Sequence, residues 1–355
     1  MKTSMQPGSV IKETYTVLEK LGEGAFSEVF LVRHKFLGLQ AMKLFRAASL
    51  TTSTDQFKEA FLLSKVGHPN VIRIFEANKI QTEDSERSYL TMEFLADGTL
   101  HDYLAKFPSL PVDSAISIQK QICAGLSTAH KQDPPVVHRD VKPQNVLVAK
   151  SAGQVQVKIA DFGLARNIDP RLRMASAAGT LLYMPPEGFH HYETPASDVY
   201  SAGIIFYEML TGRFPFPAVD YRTEQEFRLA LAKSRASPPT RPSMFTRGLP
   251  LAVEEACLRA LEPELKKRYQ SATEFLAALE SLPLSGREAE RGSPFTGETP
   301  PGPARDKARR ALEIGKQYAA LPVAIGLLEE AIKEDPSLRD QYREILKRWK
   351  SGVIL

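Results

Sequence analysis

Two stretches decide how this chain reads: Val137-His138-Arg139-Asp140-Val141-Lys142-Pro143-Gln144-Asn145, and then Lys158-Ile159-Ala160-Asp161-Phe162-Gly163. Between them Val146–Val148 and Val155–Ile159 read as a short β-hairpin. Two aspartates, an asparagine and a lysine therefore stand beside the two strands of one hairpin.

Working outward, Leu21-Gly22-Glu23-Gly24-Ala25-Phe26-Ser27-Glu28-Val29 places small residues in a turn between two strands. Glycine there lets backbone N–H groups approach and face phosphate oxygens, although by itself the run is only a turn. Ala41-Met42-Lys43 follows on the next strand, and Glu59 lies on the helix after it, where it can orient the lysine toward phosphates. Downstream stand Gly179-Thr180 with Tyr183, and Pro185-Pro186-Glu187.

This ordered set resembles the signature set of Hanks-type serine/threonine protein kinases, its bacterial members in particular, over Tyr15 to Leu282. The resemblance implies ATP and Mg²⁺ as cofactors and a protein Ser/Thr hydroxyl as acceptor. Gly22, Glu23, Gly24, Ala25, Phe26, Ser27 and Val29 would cover the phosphates, and Lys43, held by Glu59, would pair with the α- and β-phosphates. Asp161 and Asn145 would hold the metal ions, as hard oxygen ligands suited to magnesium. Asp140 would take the acceptor proton, Lys142 would stabilise the transferred phosphoryl group, and Thr180 would hydrogen-bond the catalytic aspartate. Met92 would close the back of the adenine pocket, with Glu93 and Leu95 at the adenine edge and Val29, Ala41 and Leu147 on its faces. By the same resemblance Glu187 and Arg268 form a buried ion pair, Asp198 anchors the catalytic-loop backbone, and His138 packs with Leu63, Ile74 and Phe162.

Two positions depart from the family pattern: Ser27 replaces a third glycine, and Pro185 replaces an alanine. Neither removes a reacting group. Arg139 beside the catalytic aspartate marks kinases whose loop is ordered by phosphate–arginine contacts, and Ser176 is the expected regulatory site.

The flanking sequence fits an α+β, bilobal fold. Val29–Val32, Leu39–Leu44 and Tyr89–Phe94 read as strands, and Phe57, Phe61, Leu62, Leu63 and Val66 recur at helical spacing. After Gly98 the chain turns helical: Ile116, Ile118, Ile122, Leu126 and Ala129 form one stripe, and Val199–Leu210 is apolar all round. The expected organisation is a tail over 1–14 and a kinase domain over 15–282, with small lobe 15–92, hinge 93–97 and large lobe 98–282. A Pro/Gly-rich linker over 283–303 and a helical, tetratricopeptide-like tail over 304–355 complete it. That tail is a candidate docking module for a protein partner, alongside the protein substrates.

Composition adds exclusions. The 355 residues are 43% hydrophobic and 25% charged, an ordinary globular balance. Lys+Arg number 46 against 42 Asp+Glu, so no charge excess points to nucleic acid. The two cysteines, Cys123 and Cys257, cannot build a disulfide framework, and no apolar run is long enough to span a bilayer. The reading is a cytoplasmic serine/threonine kinase that also phosphorylates itself. Its rival, a catalytically silent kinase-fold scaffold acting through the tail, is disfavoured by the intact Lys43, Glu59, Asp140, Asn145 and Asp161.

Overall fold

A computed structural model of the chain describes residues 5–24, 26–46, 57, 64–82, 85–107, 109–151, 154–162, 181–190, 192–217 and 223–282. It also describes residues 321–336, 338–339, 342–343 and 345–346. The chain divides into two compact units, Met1–Gly286 and Arg287–Leu355.

The first unit opens with a six-stranded antiparallel sheet in the order β1-β2-β3-β4-β6-β5. Its strands are β1 (Val10–Ile11), β2 (Tyr15–Glu23), β3 (Ser27–His34), β4 (Gly38–Phe45), β5 (Ile74–Gln81) and β6 (Glu86–Glu93). Alternation along β2 and β3 sends Tyr15, Val17, Phe30 and Val32 into one core with Met42, Leu44, Ile80 and Tyr89. β1 lies in the stretch read from sequence as a tail. Gly8 N–H donates to the Val17 carbonyl, Val17 N–H donates to Ser9, and Ile11 is fully buried, so this stretch joins the sheet. The helix expected around Phe57–Val66 lies mostly outside the described residues; its last turn, 64–66, is helical and ends at Gly67.

The rest of the unit is helical around one small hairpin. α1 (Leu100–Lys106) starts at a capping box in which Thr99 and Asp102 exchange side-chain–backbone hydrogen bonds. α2 (Val112–His130) buries Ile116, Ile118, Ile122, Leu126 and Ala129, the predicted stripe. Gly125 is required on α2 because a Cβ there would stand 2.6 Å from the Asn70 carbonyl oxygen. Asn70 also donates from Nδ2 to the Val157 carbonyl (2.8 Å), tying the end of the small lobe to the hairpin β7 (Val146–Ser151) and β8 (Gln154–Ile159).

α3 (Pro195–Thr211) is the core of the large lobe: every residue from Val199 to Leu210 except Glu208 is buried. α4 (Glu224–Arg235), α5 (Leu251–Ala260) and α6 (Ala272–Glu280) surround it. α4 and α6 start at side-chain caps, Thr223 accepting from Glu226 N–H and Ser271 from Glu274 N–H. Cys123 and Cys257 are buried, and burial pushes both thiols up, which makes them packing residues rather than nucleophiles. In the second unit α7 (Leu321–Glu334) is amphipathic, with Leu328, Ile332 and the following Leu338 buried.

Candidate active site

The β2–β3 hairpin supplies the roof of the site. Gly22 pairs with Val29 and Glu23 with Glu28, while Gly24 N–H closes the turn on the Ser27 carbonyl at 2.8 Å. Ala25 lies outside the described residues. A Cβ placed on Gly22 would meet nothing within 4 Å, so no neighbour in the chain forbids a side chain there. Phe26 is held through its carbonyl, which accepts from Arg46 N–H at 2.8 Å, and the Arg46 guanidinium pairs with Glu23.

Below the hairpin is an apolar cleft. Val29, Ala41, Met92, Leu95 and Leu147 belong to a single cluster with Ile72, Leu90 and Ala160. Register explains the assembly: Ala41 lies opposite Met92 across β4 and β6, and Leu147 approaches through a bridge to Thr99. Glu93, at the junction of the lobes, turns its carboxylate back. It accepts from Lys158 Nζ at 2.9 Å and from Arg73 N–H at 2.7 Å, and its own N–H donates to the Arg73 carbonyl.

Lys43 points from β4 to Asp161, with Nζ 2.5 Å from Oδ2. Burial raises the Asp161 carboxyl, but the Lys43 ammonium beside it wins and holds it below the usual carboxylate range, so it is ionised at neutral pH. Glu59, the expected partner of Lys43, lies outside the described residues, as do Thr180, Ser176 and Leu63.

The catalytic loop is fixed from beneath. Asp198, 1% exposed at the start of α3, accepts from His138 N–H (2.7 Å) and Arg139 N–H (2.9 Å), the role expected of it. Its third partner was not legible in the sequence: His130 Nε2 lies 2.9 Å from Asp198 Oδ2. His130 Nδ1 accepts the Ala272 N–H at 3.1 Å, which leaves Nε2 to donate to Asp198. Burial raises the Asp198 carboxyl, but its bond to His130 outweighs this and keeps it low.

So anchored, Arg139 and Asp161 adopt left-handed backbones, with φ of 70° and 66°. Such non-glycine conformations cost on the order of 1–2 kcal/mol each and persist only where surrounding bonds impose them. His138 packs on Phe162, with ring centroids 4.6 Å apart and planes tilted by 57°, and its Nε2 meets the Ala160 carbonyl at 2.8 Å, so it is held by packing and a backbone bond. Arg139 Nε lies 3.2 Å from Glu193 Oε2.

At the centre is Asp140. Its Oδ2 accepts from Lys142 Nζ (2.9 Å) and from Asn145 Nδ2 (3.0 Å), while its Oδ1 is buried and has no partner among the described residues. Asn145 also donates from Nδ2 to the Asp140 carbonyl at 2.7 Å, so its amide nitrogen is committed and its side-chain oxygen is left to coordinate. An orphaned carboxylate oxygen, an oriented amide oxygen, and an ionised aspartate paired with a lysine suit a metal-bound nucleotide.

On the far side of the loop, Arg268 and Glu187 form the expected buried pair. Nη1–Oε1 is 2.8 Å and Nη2–Oε2 3.3 Å, with Ser197 Oγ also donating to Glu187. Tyr183 OH donates to Glu208 Oε2 at 2.8 Å, and Ser201 Oγ to the Tyr183 carbonyl. Burial pushes the Glu208 carboxyl up to about 7 despite that hydrogen bond.

Residues 15–348 match the profile of the protein kinase domain. The chain belongs to that family. This kinase-domain chain is 32% identical over 318 residues to the serine/threonine-protein kinase pkn2 of Myxococcus xanthus, covering 83% of this chain and 37% of the relative. It is 28% identical over 330 residues to Pkn1 of the same organism, covering 88% and 46%. It is 33% identical over 254 residues to the human serine/threonine-protein kinase ULK1, covering 67% and 23%. The chain thus spans less than half the length of these relatives. The profile match runs past Leu282, where the sequence alone closes the domain. Among the described residues no helix is long and apolar enough to cross a membrane.

Proposed function

We propose that the chain is an active serine/threonine protein kinase, transferring the γ-phosphoryl group of ATP to protein hydroxyls, its own included. The observation that carries this reading is Asp140: one carboxylate oxygen is held by Lys142 and Asn145, and the other is buried with no partner among the described residues. An unpaired buried acceptor is costly, and a substrate hydroxyl is the group that relieves it.

Bound Mg·ATP supplies the phosphoryl group and the cationic charge that neutralises it in transit. The chain's own residues do the rest. Val29, Ala41, Met92, Leu95 and Leu147 exclude water from around the base, with Glu93 at its edge. Gly22 to Ser27 would cover the phosphates with backbone N–H groups, and Lys43, oriented by Glu59, would pair with the α- and β-phosphates. Asp161 and Asn145 would hold the metal ions through oxygen atoms. Asp140 Oδ1 orients the acceptor hydroxyl and takes its proton, Thr180 and Lys142 flank that oxygen, and Ser176 is the regulatory acceptor on the loop. Residues 15–282 form the catalytic domain, and 304–355 a docking module for a protein partner. The site fits a chain that works in the cytoplasm, where ATP is available.

Intact mass followed over time with Mg·ATP tests the reading on wild type, Asp140→Asn and Asp161→Asn. Mass gained in whole phosphate units by wild type alone supports it. Equal gain in all three, or no gain together with no Mg·ATP-induced thermal shift, rejects it in favour of a scaffold.

A further inference from the structure

Arg235 closes α4 with its side chain inside the large lobe, 1% exposed. The guanidinium lies over the Phe216 ring, 4.2 Å from its centroid, and Nη1 approaches the Ser234 hydroxyl at 3.4 Å. The hydrogen bond that leaves its own helix runs from Nη2 to the Leu182 carbonyl at 2.7 Å. Among the described residues the buried Nε donates to nothing and no carboxylate pairs with the cation.

A cation so enclosed is a poor way to fill space, since an apolar chain of similar volume packs without desolvating a charge. The aromatic face and the negative end of α4 offset part of that cost. What an arginine adds is a directed donor, and here that donor meets the segment just after Gly179-Thr180. The neighbours of Leu182 are fixed by other means. Leu181 packs on Phe227 and Leu231 of α4, and Tyr183 is tied to α3 through Glu208 and Ser201. Three consecutive residues are thus immobilised from two helices, and Arg235 is the polar hold that α4 contributes.

We propose that Arg235 is a positioning residue for the polypeptide acceptor: by holding the Leu182 carbonyl it fixes the segment on which the acceptor chain rests. It acts on acceptor binding and not on nucleotide chemistry. The inference rests on the kinase reading above.

The test is steady-state kinetics of the full chain with casein as acceptor, comparing wild type, Arg235→Lys and Arg235→Met. ATP hydrolysis without acceptor and thermal stability are measured in parallel. Arg235→Met is expected to raise the KM for casein about tenfold, the equivalent of one directed hydrogen bond. The KM for ATP and the acceptor-free hydrolysis rate should stay within about twofold. Arg235→Lys, which keeps a charged donor but not the planar fork, recovers part of the loss. An unchanged KM for casein in Arg235→Met overturns the inference, as does a loss of nucleotide affinity and hydrolysis in step with it. If Arg235→Met does not fold, Arg235→Lys decides, because casein KM must still rise while ATP KM does not. A wild type that phosphorylates neither casein nor itself overturns the kinase reading and this inference with it. Transfer by wild type with a flat Arg235 series overturns this inference alone.

Discussion

Beneath the loop that carries Asp140 the large lobe keeps its polar groups inside, whereas along the Gly22–Ser27 hairpin the small lobe keeps them at the surface. Asp198, Glu187, Arg268 and Arg235 are all buried around α3 and meet partners on other helices or loops. Lys20, Glu23 and Arg46 beside the hairpin are half-exposed, and they pair with one another and with Glu28. Buried pairs are strong only as complete sets, and removing one member strands a charge. Exposed pairs are screened by water and salt and contribute little each. The floor is therefore held by bonds that are costly to break, and the hairpin by bonds that are not.

The sharpest way to break this comparison is Arg268→Ala. It leaves the Glu187 carboxylate buried without its cation and should cost about 3–5 kcal/mol in urea unfolding. A double change, Arg268→Met with Glu187→Gln, should recover much of that. If Arg268→Ala unfolds like wild type, the floor is not held as described.

A pH series tests the same floor with a smaller effect. The Glu208 carboxyl titrates at about 7 in the folded chain against 4.5 when unfolded. Between those values the folded chain keeps a proton that the unfolded chain releases. Its stabilising contribution is complete below pH 4.5 and is lost as pH rises through 7, by up to roughly 3 kcal/mol. Relative to Glu208→Gln, wild type should lose stability from pH 5 to pH 8, read as a widening gap in Tm. A gap constant with pH rejects the assignment.

The roof should give the smallest response. Glu23→Gln removes an exposed partner of both Lys20 and Arg46 and should leave Tm unmoved. Any change in KM for ATP should shrink as salt is raised from 50 to 500 mM, on the order of a threefold shorter screening length. A salt-independent effect would make the hairpin network a structural element like the floor.

What was legible in the sequence follows the same division. The proposed reacting groups stand in short contiguous runs, so Asp140, Lys142, Asn145 and Asp161 could be named, and the apolar stripe of α2 and the enclosed α3 follow from periodicity alone. Edge strand β5 was missed because its exposed pattern, with Phe75 and Asn78 outward, lacks the alternation that marks a half-buried strand. The floor was legible only in Asp198, Glu187 and Arg268, through the family resemblance. Lys-Ser-Arg at the end of α4 reads as a solvated basic cap, and nothing local says that Arg235 turns inward. Glu208 lies in an apolar helix with no visible partner, since Tyr183 is 25 residues away. Lys158 reaches Glu93 across 65 residues, and His130 reaches Asp198 across 68. Such pairs depend on how helices pack, which motif spacing does not encode.

The imidazole of His130 gives the molecule an order of assembly. Its Nδ1 waits for the amide of Ala272, which leaves the ribosome 142 residues later. Every motif residue named above is synthesised before that amide exists. A nascent chain halted after Arg268 therefore carries the full chemical inventory of a kinase with the support of its catalytic loop unfinished. The support beneath the Asp140 loop is thus completed by α6, a helix that contributes none of the proposed reacting groups.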